Sequence, residues 1–154
     1  MGVNHRKLVE DVTSGLSAYQ AGYLLTLNAL MSDTIKQEAQ IEALIYWLNC
    51  FCYSRTFRRN EIRLMVVGAS EVGTVNQGLH MHLMIMHNND TRRTFNEIEN
   101  FVRTKWYRIV SANRNSSKYG NLVDLRVIDD LVGCIEYVTK THSHSPNEFN
   151  LQYY

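Results

Sequence analysis

Gly78-Leu79-His80-Met81-His82-Leu83-Met84-Ile85-Met86 reads as a β-strand that puts two imidazoles on one face. Side chains leave a strand on alternate sides, so His80 and His82 share a face while Met81, Leu83 and Ile85 share the other. Upstream, Arg63-Leu64-Met65-Val66-Val67-Gly68-Ala69-Ser70-Glu71 is apolar and β-branched enough to be the preceding strand. The stretch between them, Val72 to Gly78, has a glycine near each end, as a hairpin loop does. Symmetric pairing about that loop sets Glu71 opposite His80 on the same sheet face. A slip of one residue would move it to the other face. Two imidazoles one residue apart are half of a metal clamp, and Glu71 offers a third donor. Taken alone, His-x-His on a strand is more often a pair of satisfied or solvated histidines, so the rest of the chain has to decide.

The segment Asp129 to His142 reads as a helix capped by Asp129 or Asp130, with Leu131, Cys134, Ile135 and Val138 as its apolar stripe. Tyr137 stands on the flank of that stripe, and Lys140 lies one turn further along. A phenol on the rim of a docked helix with an ammonium one turn away suits a nucleophile and its charge stabiliser. The plain reading is amphipathic packing, since the chain holds nine tyrosines.

Together, His80-Met81-His82 on a strand and Tyr137-Val138-Thr139-Lys140 on a later helix resemble the HUH endonuclease superfamily, and within it the single-tyrosine replication initiators (Rep) of viruses and plasmids. Tyr23-Leu24-Leu25-Thr26-Leu27-Asn28 is similar to that family's first strand. The resemblance covers about residue 23 to residue 142. It implies a metal-dependent nickase and strand-transferase of single-stranded DNA at a replication origin, with Tyr137 as nucleophile forming a 5′-phosphotyrosine link. It further implies Lys140 as charge stabiliser and Mg²⁺ or Mn²⁺ on Glu71, His80 and His82. Two relatives by chemistry fit less well. A single-tyrosine transposase or relaxase-like protein remains an alternative, but the transposase branch usually carries a Gln four residues after the tyrosine, where this chain has Thr141. A histidine-triad hydrolase needs a third His where this chain has Met84. A non-catalytic DNA-binding module is the third alternative.

Composition bounds the architecture. With 154 residues and 45% hydrophobic content, one core and one domain are expected, with 19–142 as the endonuclease unit and 1–18 and 143–154 as peripheral terminal segments. Cys50, Cys52 and Cys134 form no CxxC pair and read as reduced, buried thiols, consistent with a cytoplasmic protein acting in a host cell. The N-terminus leads into no long apolar run, which reads as neither a signal peptide nor a membrane span. A net charge of +1 argues against nonspecific coating of nucleic acid. Basic residues are nevertheless concentrated between Thr91 and Arg126, and Lys118 and Arg126 are the expected phosphate contacts. No GxxxxGK[ST] occurs, so an initiator built on this chain either recruits a host helicase or is the nuclease part of a longer protein.

Helical periods complete the reading. Thr34-x-x-Gln37 opens a helix with Ile41, Leu44, Ile45, Leu48, Phe51 and Cys52 buried, ending near Phe57 to Asn60. Thr94-x-x-Glu97 opens another, with Phe95, Ile98, Phe101, Val102 and Ile109 apolar, and Leu122 to Ile128 is β-rich. The expected class is α+β, a mainly antiparallel central sheet flanked by helices.

Overall fold

The computed structural model describes residues 5–28, 34–59, 62–72, 79–88, 91–111, 122–140 and 152–154. The elements in chain order are α1 (His5–Leu16), β1 (Ala21–Leu27), α2 (Thr34–Tyr53), α3 (Arg55–Arg58), β2 (Met65–Val72), β3 (Leu79–His87), α4 (Phe95–Ser111), β4 (Val123–Val127), α5 (Leu131–Lys140) and β5 (Gln152–Tyr153). The strands form one sheet in the order β4-β1-β3-β2-β5, and every neighbouring pair is antiparallel. The class is therefore α+β, with β3 at the centre of the sheet.

Alternation along β3 divides the core. Met81, Leu83 and Ile85 join Leu25, Leu27 and Val66 on one face, against Ile41, Leu44 and Leu48 of α2 and Ile98, Val102 and Trp106 of α4. Met84 and Met86 join Val67 and Ala69 on the other, against Val9, Val12 and Leu16 of α1 and Ile135 and Val138 of α5. We call these the back and front layers. Buried Asn49 fastens α2 to the start of β2, its Oδ1 accepting the Leu64 N–H at 2.8 Å.

The capping box of α4 forms as its spacing predicts. Glu97 Oε2 accepts the Thr94 N–H at 2.8 Å, and Thr94 Oγ1 accepts the Glu97 N–H at 3.3 Å. These bonds from Thr94 hold the Glu97 carboxyl below the usual carboxylate range. At α5 the cap is Asp130, whose Oδ1 accepts the Gly133 N–H at 3.0 Å.

Three expectations are corrected. The helix read as running to Phe57 or beyond stops at Tyr53. Ser54 turns the chain at φ 49°, a left-handed value that a β-substituted residue disfavours, and within α3 the Thr56 hydroxyl donates back to the Tyr53 carbonyl at 2.9 Å. Residues 1–18 are not peripheral where described: Val9, Val12 and Leu16 recur at helical spacing and are buried in the front layer. Likewise, within 143–154, Gln152 and Tyr153 pair with β2, and the Tyr154 N–H donates to the Val66 carbonyl at 3.0 Å.

All three cysteines are free. Among the described residues no helix is long and apolar enough to cross a membrane.

Candidate active site

The strand register brings four expected or unexpected partners to one end of the front face. On β3, His80 and His82 are in phase with Met84. On β2, Glu71 is the Cα partner of His80 and Ala69 that of His82, the register expected from the hairpin. On β1, Thr26 is the partner of His82. The Glu71 side chain lies outside the described residues, so its reach toward His80 is a matter of register alone.

Both imidazoles are held through Nδ1 by oxygens of β1. His82 Nδ1 shares a hydrogen bond with Thr26 Oγ1 at 3.1 Å, and His80 Nδ1–H donates to Asn28 Oδ1. An amide oxygen only accepts, so with this bond the His80 proton sits on Nδ1 and the lone pair on Nε2. An oxygen on the second nitrogen is the arrangement that orients metal-binding histidines, and it makes this pair a fit for a divalent ion through Nε2. Among the described residues no three His, Cys, Asp or Glu side chains cluster as a metal-holding group; Glu71, the Cα partner of His80, is placed by register where it could add a third donor.

Tyr137 of α5 meets His82 from above. Its ring stands edge-on to His82, with centroids 5.3 Å apart and planes at 75°. His82 is 4% exposed and Tyr137 51%, so the phenol lies between a buried imidazole and solvent, where a substrate could reach it. The helix carrying it is anchored by buried Ile135 and Val138 and tied to α1 where His5 Nε2 and Thr139 Oγ1 share a hydrogen bond at 3.1 Å. Lys140 closes α5 one turn beyond Tyr137, and its side chain is outside the described residues.

Burial pushes Cys52 and Cys134 up to about 11, which leaves both protonated near neutrality.

The expected phosphate contacts separate. Arg126 lies on β4 as the Cα partner of Leu24, on the edge of the sheet, and its guanidinium pairs with Asp124 at 2.8 Å. Lys118 lies outside the described residues. Most basic residues of the Thr91–Arg126 tract belong to α4 or its approach, in the back layer, and several are engaged there. Arg103 donates to Glu99 and to the Val123 carbonyl, Arg93 to the Phe51 carbonyl, and Lys105 stands 4.1 Å from the Trp47 ring centroid. These residues lie on the opposite side of the sheet from His80 and His82.

Thr26 and Asn28 are the site residues that reading the sequence missed. Their signal is nevertheless present: Thr26 and Asn28 are the polar residues in the Leu24–Asn28 run, in phase with one another, so they share a face that Leu25 and Leu27 do not. Comparison of the chain with models of known families, with curated proteins and with solved structures finds no match.

Proposed function

We propose that the protein is a metal-dependent nickase and strand-transferase of single-stranded DNA, acting in the manner of an HUH replication initiator. The observation that carries this reading is the approach of Tyr137 to His82 across the front face. A histidine pair oriented by oxygens, with His82 buried and His80 half-buried, and a half-exposed phenol come together from a strand and a distant helix, in the combination a phosphotyrosine chemistry requires.

His80, His82 and Glu71 are the residues that would hold Mg²⁺ or Mn²⁺, a mixed imidazole and carboxylate set that suits Mn²⁺ better than Ca²⁺. When bound, the ion supplies Lewis-acid polarisation of the scissile phosphate. Tyr137 Oη attacks phosphorus in line with the bond to the 3′ oxygen. One O–P bond forms and one breaks, the phenolic proton is lost, and the departing 3′ oxygen is protonated. The DNA is left with a 5′-phosphotyrosine and a free 3′-OH. Because one phosphodiester replaces another, the step reverses without ATP. Lys140, one turn from Tyr137, stabilises negative charge at the phosphate in the transition state.

The test uses a pool of single-stranded oligonucleotides with a randomised core, incubated with the protein and Mn²⁺. A covalent protein–DNA adduct that survives denaturation is expected, and Tyr137→Phe abolishes it. An adduct retained in that variant moves the nucleophile to another tyrosine. Absence of cleavage by the parent protein under every metal tried favours the non-catalytic DNA-binding module, in which buried His82 is simply a packed residue.

A further inference from the structure

Three polar groups of Asn28 are each held by a different part of the chain. Its N–H donates to the Leu122 carbonyl at 3.0 Å, just before β4. Its carbonyl accepts the indole N–H of Trp106 at 2.8 Å, and its Oδ1 accepts from His80 Nδ1. Trp106 is fully buried in the back layer, so the hydrogen bonds run from α4 through the end of β1 to the front face. A buried indole N–H needs an acceptor, and this one is spent on the residue that orients an imidazole.

We infer that Asn28 is a positioning residue that keeps His80 in its Nδ1–H tautomer with Nε2 directed at the metal, and that Trp106 sets Asn28 in place from the other side of the sheet. The inference rests on the metal-dependent reading above. It adds a specific division of labour: Asn28 touches neither metal nor DNA, and acts through His80. Without the acceptor, the imidazole is free to rotate and to carry its proton on either nitrogen, and only one of those tautomers ligates through Nε2.

The experiment has two readouts besides activity. In the metal-free protein, long-range ¹H–¹⁵N correlation of the imidazoles reports which nitrogen of His80 is protonated. Mn²⁺ affinity is then measured by calorimetry. The parent is expected to show His80 as the Nδ1–H form and to bind one Mn²⁺, with His80→Ala abolishing binding. Asn28→Ala and the similarly sized Asn28→Leu should mix the His80 tautomers and weaken Mn²⁺ about ten- to a hundred-fold, the range for loss of such an orienting partner. Asn28→Asp, which keeps an acceptor oxygen, should restore affinity to within a few-fold of the parent. Trp106→Phe removes the N–H donor along with part of the buried ring, and in the folded variant should weaken Mn²⁺ by a smaller factor, with His80 tautomers partly mixed. Thermal melting identifies the folded variants, and either folded Asn28 variant is decisive. If Mn²⁺ binds the parent and is lost in His80→Ala, but the folded Asn28 variant binds as the parent does, the positioning role is overturned and the metal site stands. If the parent binds no Mn²⁺, the metal-dependent reading falls and the inference falls with it.

Discussion

The two layers of the sheet are built from opposite chemistry on the same strands. Among the described residues, twenty buried hydrophobic residues make the back core, including the largest fully buried side chain, Trp106. Nine make the front core, and beside them the front face accommodates His80, His82, Thr26 and Asn28. Apolar burial contributes roughly 25 cal/mol per Å² removed from water, so the back layer carries the larger share of the stability. The lesson is one of placement. Because β3 alternates, the residues that anchor it behind also fix the imidazoles in front, and the front layer can give apolar area over to polar groups without the strand shifting.

Paired substitutions in the two layers should have opposite signatures. Tyr137→Phe, in front, should eliminate the covalent adduct, a loss on the order of a thousand-fold or more, with no change in melting beyond a degree or so. Leu44→Ala, behind, should destabilise by about 2–5 kcal/mol while the protein that remains folded forms adduct at the parent rate. Chemical denaturation and single-turnover cleavage on the same samples check both. A large melting change for Tyr137→Phe would mean that the phenol is a packing residue of the front core.

The sheet glycines sharpen the contrast on a smaller scale. A Cβ on Gly68 would lie 2.3 Å from Cδ2 of Leu83, a branched and fully buried side chain of the back core. A Cβ on Gly22 would lie 2.4 Å from Met86 Sδ, in the front layer, where an unbranched thioether can swing aside. Gly68→Ala is expected to cost about 1–3 kcal/mol and Gly22→Ala less than that, read as shifts of the denaturation midpoint. Equal costs would show that the front layer is packed as tightly as the back.

The smallest effect is that of alkali. Cys52 in the back layer and Cys134 beside the front one are both pushed up to about 11 from an ordinary 9, mainly by burial. A raised folded-state value means the native state holds its proton longer than the unfolded chain. The stabilisation is therefore complete below 9 and is lost as the pH climbs through 11. Cys52→Ala should flatten that decline. An unchanged alkaline slope would assign it to other groups, Tyr154 first, since burial raises its phenol as well.

Local patterns made part of this legible. The period-two run Gly78–Met86 with its flanking glycines gave the Glu71–His80 register, and Thr94-x-x-Glu97 gave the start of α4. Period 3.6 also separated the buried face of α5, Ile135 and Val138, from exposed Tyr137. What escaped was non-local. Nothing near Asn28 in sequence announces that His80, Leu122 and Trp106 converge on it, because each comes from a different element. Ser54 was missed for another reason: a serine at positive φ has no sequence signature of the kind a glycine provides. The N-terminal helix was underestimated because its stripe is only Val9, Val12 and Leu16, too few to stand out without the partner helix α5.

The seat of β3 in the middle of the sheet also has a bearing on time. Flanked by β1 and β2, its interior amides open only when a neighbouring strand does, whereas α5 docks through two fully buried side chains and a tie to α1. Native-state hydrogen exchange should accordingly find the His80–His82 stretch among the slowest amides and the Tyr137 turn well ahead of it. Under the proposed function, that difference would let Tyr137 move with a linked strand of DNA and return to rejoin it while the histidines stay where they are.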